Sequence, residues 1–324
     1  MKTKHLRNPK GSRDWLPEEV IKQDYVRNSL VKVFELWKYK PIQTPILINS
    51  ETLNLGSKKL SEIAFKLIGQ QGEVLALRGD LTTPIARVTA ERLKNDPLPF
   101  RFYYVGKVFR FHARKMTNEC ELYQIGIELI GKKEGPSDLE CLKVLTHGLD
   151  KLKLKNYTVL INHNLLWREL FRCFGNTAID LYKALSEKDL VLFEKILNKS
   201  RLLKNEKLFW SELIKIKGGK EVIKQIKGLN KLAKKIKINK VISYFNKIVS
   251  SFKNKVEIDL SLTSDLDYYT GIYFEVITSS LGRNIGGGGR YDELISKFGY
   301  DVPAIGFSLC LEDVLLTLEK QGKL

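Results

Sequence analysis

Residues 100–131 read FRFYYVGKVFRFHARKMTNECELYQIGIELIG, and this stretch decides the fold. Its two ends, 100–113 and 121–131, are rich in aromatic and β-branched residues, which favour extended strands. The segment between them, RKMTNEC (114–120), is polar and has the character of a loop. The pattern therefore predicts two neighbouring strands joined by a polar loop, which together make an antiparallel hairpin.

Polar side chains share one face of this hairpin. Because side chains alternate across a strand, Arg110 points away from the face that holds Phe109 and Phe111. On the second strand, Gln124 and Glu128 alternate with apolar positions in the same way. An unpaired buried polar group costs roughly 1–3 kcal/mol, so a cluster of this kind indicates a site for a polar ligand. A solvated outer face of the sheet is equally compatible with the spacing.

The apolar positions predict an α+β order on both sides of the hairpin. Pro17 and the acidic residues after it open an amphipathic helix, and Thr82 is the expected cap of a second helix. Sheet character returns after residue 255, and a final strand runs into a helix. The predicted elements are helix 17–40, extended segment 41–48, strand 73–78, helix 82–94, helix 138–151, strand 157–162, strand 256–262, strand 272–276 and the strand–helix unit 302–321.

Residues 165–255 differ in character from the rest of the chain, because they are rich in Lys, Leu and Ile, helical in pattern and free of Pro. We predict that they form an inserted helical domain and that 1–164 and 256–324 form the core. The formal net charge is +18, and basic surfaces bind nucleic acid by releasing counterions from phosphates. Most of this charge is Lys, not the Arg preferred for bidentate phosphate contacts, and it alternates with apolar residues. The pattern favours the solvated face of amphipathic helices, and nucleic acid is not an expected partner.

The overall composition is that of an ordinary soluble globular protein. The chain has 324 residues and a mass of 37.3 kDa, with 43% hydrophobic and 28% charged residues. No apolar run approaches the roughly 20 residues that span a bilayer, and the basic N-terminus lacks the apolar core of a secretory signal. We therefore expect a cytoplasmic protein with no membrane contact. The cysteines form no C-x-x-C pair, so we expect no disulfide framework, metal site or cofactor from Cys120, Cys141, Cys173 and Cys310.

A second polar cluster surrounds a predicted strand in the last quarter of the chain. In SDLDYYTGIYFEV (264–276), apolar residues alternate from 272 to 276, and two tyrosines precede them. The glycine run that follows, GGGGRY (286–291), lacks the context of a dinucleotide fingerprint and the Lys-Ser/Thr pair of a P-loop. It predicts a glycine-lined floor of a ligand site beside Arg290 and Tyr291, with a plain tight loop as the alternative.

Several ordered blocks of the sequence resemble the histidyl-tRNA synthetases, which are class II aminoacyl-tRNA synthetases. LDYYTG (266–271) with GGGRYDEL (287–294) resembles their histidine-specific signature, and residues 109–131 resemble motif 2. The N-terminal stretch 11–45 resembles the segment that contains motif 1, and VPAIGFSLCLEDVL (302–315) resembles motif 3. The resemblance covers almost the whole chain. It implies an α+β class II synthetase core, with a mainly antiparallel sheet flanked by helices and a dimer formed through motif 1.

The departures from that family fall on the handling of ATP and tRNA. Ser264 stands where the resemblance expects the arginine that stabilises adenylate formation, and Asp313 replaces the motif 3 arginine that stacks on ATP. In motif 2, His112 replaces an acidic residue, and Asn118 and Cys120 replace loop arginines. One positioned donor is worth roughly 2.7–4 kcal/mol in a transition state, so we expect no adenylation activity. We also expect no anticodon-binding domain.

The positions that resemble the amino-acid pocket of the synthetases are retained, and the LRGDLTTPIARV block (77–88) resembles a synthetase-like family, the regulatory subunits of ATP phosphoribosyltransferase. That resemblance implies a non-catalytic subunit for the first step of histidine biosynthesis, with no cofactor. It also implies a hetero-octamer with the short-form catalytic subunit and histidine as the feedback effector. The predicted histidine-binding residues are Asp80, Thr82, Arg110, Gln124, Glu128, Tyr268, Tyr269 and Tyr291.

The resemblance implies a role for each of these side chains. The ammonium group of histidine is assigned to Asp80, Thr82 and Gln124, and its carboxylate to Arg110. The imidazole is assigned to Glu128 and Tyr269, and Tyr268 and Tyr291 shape the pocket. A synthetase paralogue that retains tRNA binding or amino-acid activation is the alternative function, and the net charge favours it. A tRNA-sensing module of the stress-kinase type is a third possibility, although the sequence shows no kinase domain.

Overall fold

The computed structural model describes residues 7–111, 119–231, 236–252, 254–264 and 266–324. Most of the predicted elements are present, with ends that differ by a few residues. The strands in these residues are β1 Lys40–Pro41, β2 Leu47–Asn49, β3 Lys66–Ile68, β4 Val74–Leu77, β5 Phe100–Phe109, β6 Glu121–Ile130, β7 Tyr157–His163, β8 Lys217–Gly218, β9 Val256–Asp259, β10 Ile272–Thr278, β11 Asn284–Arg290 and β12 Ala304–Cys310. The helices are α1 Pro17–Leu36, α2 Ser50–Gly56, α3 Lys58–Glu62, α4 Thr82–Arg92, α5 Pro136–Lys151, α6 Asn164–Phe174, α7 Thr177–Ser186, α8 Leu190–Lys199, α9 Lys204–Leu213, α10 Val222–Asn230, α11 Asn239–Ser250 and α12 Leu311–Lys320.

In the described part of the chain, nine strands form one sheet in the order β1-β5-β6-β12-β11-β10-β7-β9-β8. Neighbouring strands are antiparallel except for the β1–β5 and β7–β9 pairs, which are parallel. A smaller sheet has the order β2-β4-β3. The predicted α+β fold with a mainly antiparallel sheet is confirmed.

The hairpin predicted from residues 100–131 is confirmed, because β5 and β6 pair antiparallel over their full length. Gly106 lies opposite Gln124, and Phe102 lies opposite Glu128, so the polar positions of β6 share one face with the even-numbered residues of β5. β5 ends at Phe109, before the predicted end, and residues 112 and 113 lie outside the described residues.

The glycine run is a strand, so the alternative of a tight loop is wrong. β11 lies between β10 and β12 and pairs antiparallel with both. A Cβ atom added to Gly288 would lie 2.2 Å from the carbonyl oxygen of Gly306 on β12. Glycine is therefore required there by the close approach of two backbones.

Residues 164–250 are mainly helical, as their pattern predicts, and contain α6 to α11. The two-residue strand β8 interrupts the helices and pairs with β9 at the edge of the large sheet. Apolar residues of this region, such as Phe209 and Phe245, belong to one buried cluster with Val159 and Phe274 of the sheet. That residues 165–255 form a separate domain stays a prediction. In the described residues, every helix is too short or too polar to cross a membrane.

Candidate functional site

The residues predicted to bind a ligand meet at one cavity on the polar face of the large sheet. β6, β12 and the glycines of β11 form its floor, the start of α4 forms one side, and the segment between β9 and β10 forms another. The cavity has a volume of about 30 Å³. All eight predicted residues line it: Asp80, Thr82, Arg110, Gln124, Glu128, Tyr268, Tyr269 and Tyr291.

Glu128 lies at the buried end of this pocket, where its side chain is 1% exposed. Its carboxyl group accepts hydrogen bonds from the hydroxyl of Thr82, at 2.8 Å, and from the hydroxyl of Tyr291. Burial raises the pKa of Glu128 to about 8, although the hydrogen bonds from Tyr291 and Thr82 favour the charged form. Glu128 therefore holds a proton at neutral pH and has no cation bonded to it in the described residues.

Asp80 is the second buried carboxyl group of the pocket and lies in the turn between β4 and α4. It accepts hydrogen bonds from the hydroxyl of Thr83 at 3.1 Å and from the hydroxyl of Tyr268 at 3.3 Å. Burial raises the pKa of Asp80, and the positive charge of Arg110 opposes this shift. The pocket thus contains two carboxyl groups whose ionisation a cationic ligand would favour.

The predicted cap of α4 is wrong. The N-cap position is Leu81, and the backbone N–H of Thr83 donates to Asp80 Oδ1 at 3.3 Å. Thr82 turns toward the sheet and donates to Glu128 instead. A tertiary partner has therefore taken the hydroxyl that the local sequence pattern assigned to the helix end.

Arg110 and Gln124 lie where the pocket opens into a larger cavity of about 370 Å³, which both residues also line. Arg110 Nε donates to the carbonyl oxygen of Gly79 at 2.5 Å, and Gln124 Nε2 donates to Ser308 Oγ at 3.4 Å. Among the described residues, Arg110 is the only arginine that lines the small pocket, and its guanidinium lies at the open end. Arg110 therefore offers a positive charge at the open end of the pocket, with which an anionic group of a ligand can pair.

The tyrosines form an aromatic wall of the pocket. The ring of Tyr268 lies edge-on to Tyr269, with centroids 5.1 Å apart, and edge-on to Tyr291, with centroids 5.9 Å apart. Burial raises the pKa of all three hydroxyl groups, so they are neutral hydrogen-bond donors at physiological pH. The wall combines apolar ring surface with donors, which suits a planar heteroaromatic ligand.

Sequence reasoning missed Tyr104, Gly306 and Ser308, which also line the pocket. Tyr104 lies on β5, six residues before Arg110, so the alternation that assigns Arg110 to this face would also have found Tyr104. Gly306 lies opposite Glu128 in the β6–β12 ladder. An added Cβ atom there would lie 1.8 Å from Glu128 Oε2, so glycine makes room for the carboxyl group.

The prediction that Arg290 lies beside the floor of the ligand site, as Tyr291 does, is wrong. Its side chain is 1% exposed and lies behind the pocket, where it donates to Asp138 at the start of α5 and to Asp292 at 2.8 Å. The hydroxyl of Ser137 accepts a further hydrogen bond from Arg290 at 2.6 Å. Arg290 is a structural residue that joins β11 to α5, whereas its neighbour Tyr291 faces the pocket.

The positions that depart from the synthetases lie mainly around the larger cavity. Ser264 and Asp313 both line it. Asp313 is 1% exposed and accepts two hydrogen bonds from Arg283, at 2.7 and 3.0 Å. Cys120 lies elsewhere, with its Sγ 3.1 Å from the carbonyl oxygen of Lys10. Positions 112 and 118 lie outside the described residues.

No group of three or more His, Cys, Asp or Glu side chains that could hold a metal ion occurs in the part of the chain that the structure describes. The chemistry of the pocket is that of neutral hydrogen-bond donors, two buried carboxyl groups with raised pKa values and one guanidinium. These groups match the chemistry of a small ligand that carries cationic and anionic groups around a polar ring.

Comparisons with known proteins give a consistent picture. A model of the family described as histidyl-tRNA synthetase matches residues 11–314. The ATP phosphoribosyltransferase regulatory subunit of Desulforamulus reducens is 34% identical over 316 residues, which cover 96% of this chain and 78% of that protein. The protein of the same name from Carboxydothermus hydrogenoformans is 33% identical, with 95% of each chain covered.

Solved structures show the same fold. An ATP phosphoribosyltransferase regulatory subunit/histidyl-tRNA synthetase from Bacillus halodurans C has a TM-score of 0.84 at 31% identity, covering 98% of this chain and 84% of that one. The histidyl-tRNA synthetase of Nostoc sp. PCC 7120 has a TM-score of 0.80 at 24% identity, covering 98% of this chain and 76% of that one. At the lower identity, the likeness shows the fold alone.

Proposed function

We propose that this chain, which belongs to the family of ATP phosphoribosyltransferase regulatory subunits with a histidyl-tRNA synthetase fold, binds histidine in its buried pocket and senses the level of that amino acid. Both the resemblance and the class II synthetase fold predicted from the sequence are confirmed. One observation carries the proposal: all eight residues assigned from sequence line a single cavity around Glu128.

Histidine fits the chemistry of this pocket group by group. We assign its imidazole to Glu128 and Tyr269, because a carboxyl group with a raised pKa can share its proton with a ring nitrogen. We assign its ammonium to Asp80, Thr82 and Gln124, and its carboxylate to Arg110 at the open end. Tyr268 and Tyr291 shape the space between these groups.

The proposed role is that of a subunit without catalysis of its own. The name of the relatives supports a regulatory part in the complex. We propose that the catalytic partner is the short-form ATP phosphoribosyltransferase subunit in a hetero-octamer, that two copies of this chain form a class II dimer, and that the complex serves histidine biosynthesis. The predicted cytoplasmic location belongs to this proposal and stays a prediction.

Feedback inhibition requires histidine to bind the inhibited state of the complex better than the active state. Such coupling is typically 1–3 kcal/mol, which changes the affinity about 5- to 150-fold. We assign the detection of the ligand to the buried end of the pocket, where the hydroxyl groups of Thr82 and Tyr291 hold Glu128.

The experiment is to mix the purified chain with a short-form catalytic subunit and to measure phosphoribosyl transfer from phosphoribosyl pyrophosphate to ATP. We expect activity to appear on mixing and histidine to suppress it. A complex whose activity histidine leaves unchanged would overturn the sensing role. ATP–pyrophosphate exchange with histidine, measured on the chain alone, tests the alternative of amino-acid activation, and we expect none.

A further inference from the structure

The pocket wall that carries Tyr268 and Tyr269 is bonded on its far side to helices α6 and α7. This wall lies between β9 and β10 and belongs to neither strand. Asn164, the first residue of α6, donates from its side-chain amide to the carbonyl oxygen of Tyr269 at 2.9 Å. Its backbone N–H donates to the carbonyl oxygen of Gly271, also at 2.9 Å. Helix α6 is therefore hydrogen-bonded to the same stretch of backbone that carries the pocket tyrosines.

The hydroxyl of Tyr182 on α7 makes the most specific contact with this wall. It accepts a hydrogen bond from the N–H of Ser264 at 3.0 Å and donates one to the carbonyl oxygen of the same residue at 3.1 Å. Ser264 Oγ donates to the carbonyl oxygen of Leu266 at 3.0 Å and accepts from its N–H at 3.1 Å. Leu266 lines the pocket, so a single hydroxyl on α7 fixes the backbone two residues from a pocket side chain.

A second route of contact runs through aromatic rings. The ring of Trp167 on α6 lies edge-on to Tyr182, with centroids 5.3 Å apart, and Trp167 Nε1 donates to the hydroxyl of Tyr273. The ring of Tyr273 is nearly parallel to that of Tyr269, with centroids 6.3 Å apart. Movement of the pocket wall would therefore reach the surroundings of Trp167.

The pocket is narrow in this structure, and its walls are held in place by different kinds of contact. Its volume of about 30 Å³ is enough for water, whereas an imidazole ring needs more room. Glu128 and Gly306 lie on paired strands, whose ladder of hydrogen bonds resists displacement. Among the described residues, no strand ladder holds the wall with Tyr268 and Tyr269, and the hydrogen bonds between Tyr182 and Ser264 stabilise its present, narrow position.

We infer that Tyr182 is a positioning residue that sets the affinity of the pocket for histidine and reports its occupancy to the helices of residues 164–250. The inference rests on the proposed function. A ligand that needs the wide pocket binds less tightly when the narrow one is stabilised. Histidine binding therefore breaks the bonds between Tyr182 and Ser264, and this releases α7 from the wall.

The test is Tyr182→Phe, which removes the hydroxyl and keeps the ring against Trp167. We expect this variant to bind histidine roughly two- to tenfold more tightly than the wild type in calorimetric titration, because hydrogen bonds of the narrow state are lost. A merely structural role would weaken binding. The matched control is Tyr103→Phe, which loses a hydroxyl contact with Glu35 on the opposite face of β5 and should leave the affinity unchanged.

Tryptophan fluorescence gives a second measurement, which tests the contact with α6 without relying on a difference in histidine affinity. We expect histidine to change the emission of the wild type and expect Trp167→Phe to lose most of that change. Equal or weaker histidine binding by Tyr182→Phe, or a full fluorescence change in Trp167→Phe, would overturn the inference while the proposed function stands. Failure of the wild type to bind histidine would overturn the proposed function itself.

Discussion

The small pocket and the adjoining larger cavity are two ends of one cleft, and they treat charge in opposite ways. In the pocket, hydroxyl groups bond to Glu128 and Asp80, and burial raises the pKa of both carboxyl groups. In the larger cavity, Asp313 is bonded to the guanidinium of Arg283 at 2.7 Å. At one end, the carboxyl groups have no bonded cation among the described residues, whereas at the other the carboxylate of Asp313 is paired within the protein.

The difference teaches where a charged ligand would gain most. A buried carboxyl group without a cationic partner costs stability, and such groups cluster at functional sites, where a ligand supplies the missing charge. Histidine brings an ammonium group and a ring that can hold a proton near neutral pH. At the other end of the cleft, the pairing of Asp313 with Arg283 leaves less to gain from a cation.

The prediction with the largest expected effect is that the buried carboxyl group of Glu128 lowers the free energy of unfolding when no ligand is bound. In the unfolded chain this group loses its proton near its usual pKa of 4.5, whereas the folded protein keeps the proton up to about pH 8. Between these values the folded state binds one more proton, so the free energy of unfolding falls as the pH rises. A shift of one pKa unit corresponds to about 1.4 kcal/mol. We therefore expect the free energy of unfolding of Glu128→Gln at pH 8.5 to be higher than that of the wild type by roughly 3–5 kcal/mol.

Urea unfolding of both proteins at pH 5 and pH 8.5, without histidine, measures this effect. We expect similar free energies of unfolding at pH 5, where Glu128 is protonated and resembles glutamine in shape. The matched control is Glu293→Gln, whose side chain is 72% exposed and should follow the wild type at both pH values. Parallel pH profiles for wild type and Glu128→Gln would contradict a buried, protonated Glu128.

The residues of the small pocket differ in how far the sequence predicts them. Strand alternation alone brought Arg110, Gln124 and Glu128 to one face, because a period of two fixes which side chains share a side of a paired hairpin. The other predicted pocket residues lie in turns, after strands or, for Thr82, at the start of a helix, where no strand period applies, and the family resemblance was needed to assign them. Their meeting at one cavity depends on long-range contacts, such as that between Tyr268 and Asp80.

The errors have a common physical cause, which is a distant partner that competes with a local pattern. Thr82 has the right residue type for a helix cap, but Glu128, 46 residues away, accepts its hydrogen bond. Arg290 follows a glycine run, but its buried partner Asp138 is 152 residues away at the start of α5. Neither partner leaves a signal in the neighbouring sequence.

The second prediction asks whether the ligand supplies the charge that the pocket lacks. Glu128→Gln keeps the shape of the side chain but cannot exchange a proton with an imidazole ring. We expect its affinity for histidine to fall roughly 10- to 100-fold at pH 7, as for loss of a charge-assisted hydrogen bond. Calorimetric titration measures this, with Glu293→Gln as the control that should match the wild type. Equal affinities would mean that the ring binds elsewhere.

The smallest expected effect concerns the end of the cleft that pairs its own charge. Asp313→Asn keeps the shape of the side chain and removes the ion pair with Arg283, whose side chain is 29% exposed and can be hydrated instead. We expect the free energy of unfolding to fall by roughly 1–2 kcal/mol, as for loss of a hydrogen-bonded partner. Histidine affinity should stay within about twofold of the wild type, because Asp313 lines the larger cavity and not the small pocket. A large loss of histidine affinity in this variant would show that the two ends act as one electrostatic unit, and the contrast between them would no longer locate the ligand.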